Sequence, residues 1–411
     1  MEKVPKKKLW IVTELYYPEM TSTGYYLTKI AEGLAGEFDV AVLCGQPNYS
    51  AKGTLAPRKE VRSDVEINRV FGTRLDKNVI PYRILNMLTL GLSVFFRSLW
   101  SFRKGDQVLV VTTPPLMPFL TWIASRIKRS EHVLLIHDNY PEILYAVGKL
   151  VERSVTSKLL EFASTKLVAS ADRIILVGRD MKERIENRRG NLDSVFVVPN
   201  WAELETVRPI EKSLTDTAKT LNLENKLVFL YAGNFGHPND IETILNASKT
   251  LDKIAVTVVF MFLGAGVKLD SLKSYIKLND LQNVVVEPPR PRTEQPDFLN
   301  SCDIGIVSLV PKMKGVSMPS RTYNLLAAGK PILAICEPGS EVAMVVEEEE
   351  AGWVVRPGDV NGMVRLIEDI ANGVYDLGKM GRNARKAAVR KYDLDSALRG
   401  YRRALGGVES D

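Results

Sequence analysis

Cysteine and histidine are scarce, with three of each in 411 residues. Cys44, Cys302 and Cys336 are an odd number, far apart, each in or beside an apolar strand-like run. A disulfide framework and zinc-ligand spacing are thereby excluded, and the expected compartment is the reducing cytoplasm. Spanning a bilayer takes about 20 uncharged apolar residues. The most apolar stretch, 79–102, holds only the shorter uncharged run 84–96 between Arg83 and Arg97, so no span is expected. After Lys3, Lys6, Lys7 and Lys8 the apolar stretch 9–12 meets Glu14 too soon for a signal-peptide core. No glycine loop closes in Gly-Lys-Ser/Thr, which excludes a Walker phosphate loop, and no short-period repeat argues for a solenoid.

What is present is a large core-forming composition, 45% hydrophobic and 25% charged, with length for roughly two to three domains. The net charge of +6 is uneven: residues 1–200 carry 29 basic and 21 acidic side chains (+8), leaving −2 for the remainder. A field of that sign suits an anionic partner: nucleic acid, a phosphorylated small molecule or an anionic membrane.

Short apolar, β-branched runs recur at 9–13, 40–43, 108–112, 133–136, 173–177, 195–198, 227–231, 256–263, 284–286, 304–307 and 331–335. Most are separated by segments of helical spacing, such as 25–34, 156–169 and 241–250. The alternation predicts an α/β fold with parallel sheets covered on both faces. The series restarts after Pro199-Asn200-Trp201 and a polar stretch containing Pro209, which reads as a linker between two domains of similar construction. The stretch 79–104 reads either as a buried helix pair or as a helix in a membrane interface. Phe95, Phe96, Trp100 and Phe102 there stand among Arg97, Arg103 and Lys104.

Five loops are candidates for chemistry. The first strand runs into Tyr17-Pro18 and a polar loop ending at Gly24, where a helix begins; it suits an anion or ordinary capping by Thr21–Thr23. Gly264-Ala265-Gly266 opens like a dinucleotide fingerprint but lacks the third glycine, Leu269 standing there, and reads as a tight turn. His137-Asp138 follows a strand, where open α/β sheets bind ligands; a helix cap beside a buried histidine is the alternative. Gly233-Asn234-Phe235-Gly236-His237 offers close backbone access. The densest loop carries Lys312, Lys314, Gly315, Ser317, Pro319, Ser320 and Arg321, a basic anion cradle. Asp393-Leu394-Asp395 reads as a helix cap rather than a metal site, and 347–350, four consecutive glutamates, as a solvated turn.

Taken together, Tyr17-Pro18 with Gly24, His137-Asp138 with Pro141-Glu142, Val198-Pro199-Asn200, Tyr231-Ala232-Gly233-Asn234, Pro288-Pro289-Arg290-Pro291-Arg292 and Pro319-Ser320-Arg321-Thr322-Tyr323 through Gly329-Lys330-Pro331 resemble the retaining GT-B glycosyltransferases of family 4, in the branch that builds O-antigen, capsule and related surface polysaccharides. The resemblance runs over nearly the whole chain in order. It implies two facing Rossmann-like domains, 1–203 on the acceptor side and 204–383 binding a nucleotide sugar, with a final helix within 384–411 crossing back to the first. It further implies transfer of a hexosyl or N-acetylaminosugar from a donor, usually a UDP-sugar, to a glycan or lipid-linked acceptor, without metal or cofactor. The diphosphate would lie against Gly233, Asn234, Lys314, Gly315, Ser317, Ser320 and Arg321, facing the Gly24 loop. The base would lie near Arg290, the ribose at Asn324, and Glu341 in a loop near the nucleotide. His137 and Asp138 would be the catalytic pair that positions sugar and acceptor.

Two departures stand out. Val316 and Asn324 occupy positions where many members carry a glutamate pair, and Asn234 and His237 stand where Arg and Lys are usual, which shifts phosphate charge onto Lys312, Lys314 and Arg321. A UDP-sugar epimerase of the same two-domain fold is the competing enzyme. Nucleic-acid binding has no recognisable motif. The +8 half is expected to face an anionic membrane through 79–104, at the inner face of the cell membrane.

Overall fold

Valine, isoleucine and leucine runs buried on both faces make the strands, and amphipathic segments between them make the covering helices. The structure is a computed structural model describing residues 6–48, 53, 55–76, 79–253 and 257–407. Lys3, Val256 of the expected strand 256–263, and 408–411 of the expected tail lie outside the described residues. The chain order begins β1 (Lys8–Val12), α1 (Ser22–Leu34), β2 (Asp39–Cys44), β3 (Lys59–Arg62), β4 (Val65–Arg69), α2 (Ile80–Ser101), β5 (Gln107–Val111), α3 (Met117–Lys128) and β6 (Glu131–Ile136). It continues through α4 (Glu142–Ala146), α5 (Val155–Ser170), β7 (Arg173–Leu176), α6 (Lys182–Arg189), β8 (Val195–Val197) and α7 (Asp216–Thr220). Then come β9 (Leu227–Asn234), α8 (Ile241–Leu251), β10 (Val258–Ala265), α9 (Leu269–Asn279), β11 (Val284–Glu287), α10 (Gln295–Asn300), β12 (Ile304–Ser308) and α11 (Arg321–Ala327). The last elements are β13 (Ile332–Ile335), α12 (Glu341–Glu348), β14 (Gly352–Val355), α13 (Val360–Ala371), α14 (Leu377–Lys391) and α15 (Leu394–Leu405).

These elements form two compact units. The first comprises 1–141, 152–199 and 397–411, the second 142–151 and 200–396. The first holds an eight-stranded sheet in the order β3-β4-β2-β1-β5-β6-β7-β8, parallel except for the edge pair β3-β4. The second holds a six-stranded parallel sheet, β11-β10-β9-β12-β13-β14. In each, the strand order reverses beside the first strand, at β1/β5 and at β9/β12, and such switch points leave a crevice at the carboxyl ends.

The division differs from the expected limits 1–203, 204–383 and 384–411 at both ends. The tail expected as one helix is two, broken at Tyr392 and Asp393, and Asp393 caps the second by accepting from the Ser396 N–H at 2.8 Å. The first, α14, belongs to the second unit. Gly381 packs where a Cβ would come 2.4 Å from the Gly329 carbonyl, and Arg385 donates to the Val207 and Ala327 carbonyls. Most of α15 belongs to the first: Leu398 fills the space a Cβ on Gly33 would need, Arg402 pairs with Glu37, and Arg173 donates to the Ala404 carbonyl. The four-glutamate run is not a solvated turn throughout. Glu347 and Glu348 close α12, and Glu349 is buried against Arg390 and Lys391.

The apolar stretch 79–104 is neither a helix pair nor short. It forms one 22-residue helix, α2, by length and composition apolar enough to cross a membrane. Counting only the uncharged run missed the turns around Arg83 and Arg97. One face packs inward through Asn86, Leu90, Gly91, Val94 and Ser98, with Asn86 bonded to Thr73 and to the backbone of Leu75.

Candidate functional site

In the second unit the two central strands meet at glycine. Gly233 of β9 stands in register with Gly264 of β10, where a Cβ would lie 1.9 Å from the Gly233 oxygen. Gly266 also packs closely on Asn234 and Phe235; Gly264 and Ala265 belong to β10 itself, so these glycines serve close backbone contact at a strand end rather than the tight turn expected. Gly233 and Asn234 end exposed at the carboxyl edge. The Asn234 carbonyl accepts from the Tyr231 hydroxyl and the Asn239 amide, both at 3.0 Å.

Across the switch point, Arg321 opens α11 and lays its guanidinium over the Tyr231 ring, 4.3 Å from the centroid. Nη2 donates to Asn239 Oδ1 at 3.4 Å, while Nη1 is buried without a hydrogen-bond partner. A Cβ on Gly233 would stand 3.2 Å from Cζ, so the glycine leaves the room the cation uses. A guanidinium nitrogen buried without an acceptor is costly; an incoming anion would remove that cost.

The basic loop before α11 is pinned. Met313, Val316 and Met318 are buried while Lys312 and Lys314 are exposed. The Lys314 N–H donates to Glu337 at 3.0 Å, and its Nζ lies 3.3 Å from where a Cβ on Gly339 would be. Gly315 has φ +67, the left-handed region in which glycine carries no Cβ penalty, and Ser317 and Ser320 are half-buried. Glu341 is buried in the first turn of α12, whose N-cap Ser340 accepts from the Ala343 N–H. Asn324 is buried, its amide oxygen accepting from the Glu203 N–H at 3.3 Å. Arg290 is engaged within the fold, donating to Thr217 at 2.6 Å and pairing with Glu287 and Asp297, both at 3.5 Å. His237 is held below the ordinary imidazole value by burial and then by Lys149 and Lys268. Sequence reasoning quoted Tyr231 only within a motif and did not single out Asn239, Lys149 or Lys268.

In the first unit β1, β5 and β6 are neighbours, and each is followed by a cis X-Pro bond: Tyr17-Pro18, Thr113-Pro114 and Tyr140-Pro141. Thr112 Oγ1 accepts from the backbone N–H groups of His137 and Asp138, at 3.2 and 3.3 Å. The Thr113 hydroxyl donates to Asp138 Oδ2 at 3.3 Å. His137 Nε2 is buried without a hydrogen-bond partner, and burial pushes the imidazole down to about 4, so it is neutral at pH 7. Gly24 lies in the first turn of α1; its N–H is taken by the N-cap Thr21, and a Cβ would stand 2.7 Å from the Glu19 oxygen. Close packing and capping therefore both act at that loop. Among the described residues no group of three or more His, Cys, Asp or Glu is arranged to hold a metal, and the three cysteines are buried and form no disulfide.

Comparison with known proteins agrees over both units. Residues 22–201 match the glycosyl transferase 4-like domain, and residues 226–372 match glycosyl transferases group 1. A probable glycosyltransferase of Pseudomonas aeruginosa, WbjE, is 29% identical over 392 residues, 94% of each chain. The putative colanic acid biosynthesis glycosyl transferase WcaI of Escherichia coli is 24% identical over 404 residues, 94% of this chain and 96% of that one. The crystal structure of Anabaena HepE in complex with UDP-glucose has the same fold. It gives a TM-score of 0.73 at 15% identity, covering 97% of this chain and 99% of that one. Two parallel-sheet units, each carrying its own half of the family pattern, make this chain a member of the group 1 and 4-like glycosyltransferases, with the GT-B fold.

Proposed function

We propose that the protein is a retaining, metal-independent transferase. It moves a hexosyl or N-acetylaminosugar from a UDP-sugar to a glycan or lipid-linked acceptor in surface polysaccharide synthesis, at the inner face of the membrane. One observation carries the donor assignment: the buried, unpartnered Nη1 of Arg321 above Gly233, at the switch point of the second sheet. The guanidinium meets the diphosphate there, stacked on Tyr231 and steadied by Asn239. Lys314 and Lys312 add positive charge from the same loop, with the backbone of Gly233, Asn234 and Gly315 and the hydroxyls of Ser317 and Ser320 around them. Glu341 and Asn324 lie on the nucleoside side, and Arg290 braces the wall beside the base through Glu287 and Asp297.

In the reaction the anomeric C–O bond to the diphosphate breaks and an anomeric C–O bond to the acceptor forms on the same face of the sugar. The acceptor proton leaves with the departing phosphate oxygen. The protein's part is to stabilise negative charge as it develops on the leaving group and to hold the reactants in line. His137, neutral at pH 7, and Asp138 position the sugar and acceptor, facing the loop of Gly24. The names of the relatives WbjE and WcaI support the transferase class and the polysaccharide setting. The UDP-glucose complex of HepE supports a UDP donor.

A panel of UDP-sugars tested for protection against thermal unfolding is the direct experiment, because a true donor raises the midpoint by mass action. One UDP-sugar is expected to stabilise the wild type and to lose that effect in Arg321→Ala. No stabilisation by any nucleotide sugar would overturn the donor assignment. Incubation with the donor alone is expected to leave the sugar's configuration unchanged, which an epimerase would alter.

A further inference from the structure

On the first unit, three helices turn apolar side chains outward. In α2, Leu88, Leu92, Phe96 and Trp100 recur every four residues opposite the buried face, and Trp100 is 87% exposed. In α3, Ile123 and Ile127 do the same. In α5, Ser157 and Ser164, bonded to the Ser154 and Tyr140 carbonyls, are buried along with Leu167 and Val168, while Val155, Leu159 and Phe162 face out. The crossovers β4-α2-β5, β5-α3-β6 and β6-α5-β7 all advance in one direction across the sheet. Right-handed connections therefore put all three helices on one face. The helix α3 packs against both neighbours, with Leu116 and Leu120 seated on Gly91 of α2.

Charge selects the occupant. From 79 to 130 the chain has seven basic residues, Arg83, Arg97, Arg103, Lys104, Arg126, Lys128 and Arg129, and one acid. That acid, Asp106, is buried on the Trp10 indole. The helix α5 adds Lys158, Lys166 and an exposed Glu161. A second copy presenting the same face would set like charges together, whereas anionic headgroups over acyl chains match both the basic residues and the apolar stripes. We propose that α2, α3 and α5 form one platform that lies in the interface of an anionic lipid bilayer, the three stripes entering the acyl boundary and α2 lying in the plane of the membrane. This deepens the membrane reading above by replacing a single helix with three.

The test is cosedimentation of the full chain with vesicles of phosphatidylglycerol and phosphatidylcholine, against phosphatidylcholine alone. Binding is expected only with the anionic lipid and is expected to weaken with salt. Phe96→Asp on α2 and Leu159→Asp on α5 are each expected to weaken it about tenfold or more, and brominated acyl chains are expected to quench Trp100 fluorescence. Thermal unfolding and donor protection measured on the same variants should match wild type, so a failed donor assignment would leave this result standing. Failure to sediment with anionic vesicles, equal sedimentation with both lipids, or full binding by Leu159→Asp overturns the platform. A dimer in size exclusion that Phe96→Asp dissociates, without lipid binding, assigns the face to a second copy instead.

Discussion

The two sheets end in opposite kinds of chemistry. At the carboxyl edge of the second, a guanidinium is held over an aromatic ring with a nitrogen unpartnered, and glycine backbones pack so closely that a methyl group would not fit. At the edge of the first, the histidine is neutral and its loop is held by threonine hydroxyls. One edge presents a buried cation, the other an uncharged imidazole beside the Asp138 carboxylate. The net charges run the other way, the first 200 residues being the basic ones, so total charge does not point to the edge proposed for the donor.

Removing the cation attacks this contrast most directly. Arg321→Ala is expected to lower kcat/KM for the donor by about 10²–10³, the range for losing one preorganised charge-stabilising donor. Arg321→Lys should recover only part, because an ammonium cannot reproduce the planar stack on Tyr231. Gly233→Ala leaves the cation in place but puts a methyl 3.2 Å from it, at φ +141. Donor affinity should fall by about 10–10², with a stability loss of about 1–3 kcal/mol in chemical unfolding.

At the edge of the first sheet, His137→Ala should cost about tenfold in rate, less than a general base would. The pH profile sharpens the point. Burial holds His137 at about 4 and His132 at about 3, below the unfolded value near 6.5. As pH falls the unfolded chain binds protons first, so stability is full above about 6.5 and declines toward 4. Wild type and His137→Asn should share one pH–rate profile between pH 5 and 8, while the decline in Tm below 6.5 is shallower in the variant. A limb near 6.5 that vanished with His137 would break the contrast between the two edges. The smallest effect is expected from Arg290→Gln: less than about threefold in donor KM, with about 1 kcal/mol lost in thermal unfolding from its partly exposed pairs.

Much of the architecture was legible in the sequence because strands buried on both faces leave continuous apolar runs. The edge strands β8 and β11 left such runs at 195–198 and 284–286, but the edge strands β3 and β14 did not. Lys59-Glu60-Val61-Arg62 is half solvent-facing, and β14 hides behind the glutamate run ending at Glu350. The helix α2 misled because its outward face is as apolar as its inward one, so periodicity could not separate them. Within the site the loops were readable, whereas the clamp on Arg321 was not: Asn239 and Tyr231 lie 80 to 90 residues earlier in the chain and meet it only through strand order.

The split tail has a consequence for biosynthesis. The first unit is closed by α15, the last helix described, which covers Gly33, Val198 and the guanidinium of Arg173. A nascent chain therefore carries this unit unfinished, with those surfaces bare, through the whole synthesis of the second. A gene fragment ending near residue 199 encodes a sheet without its final helix, and supplying 397–411 as a separate peptide should restore solubility to that fragment.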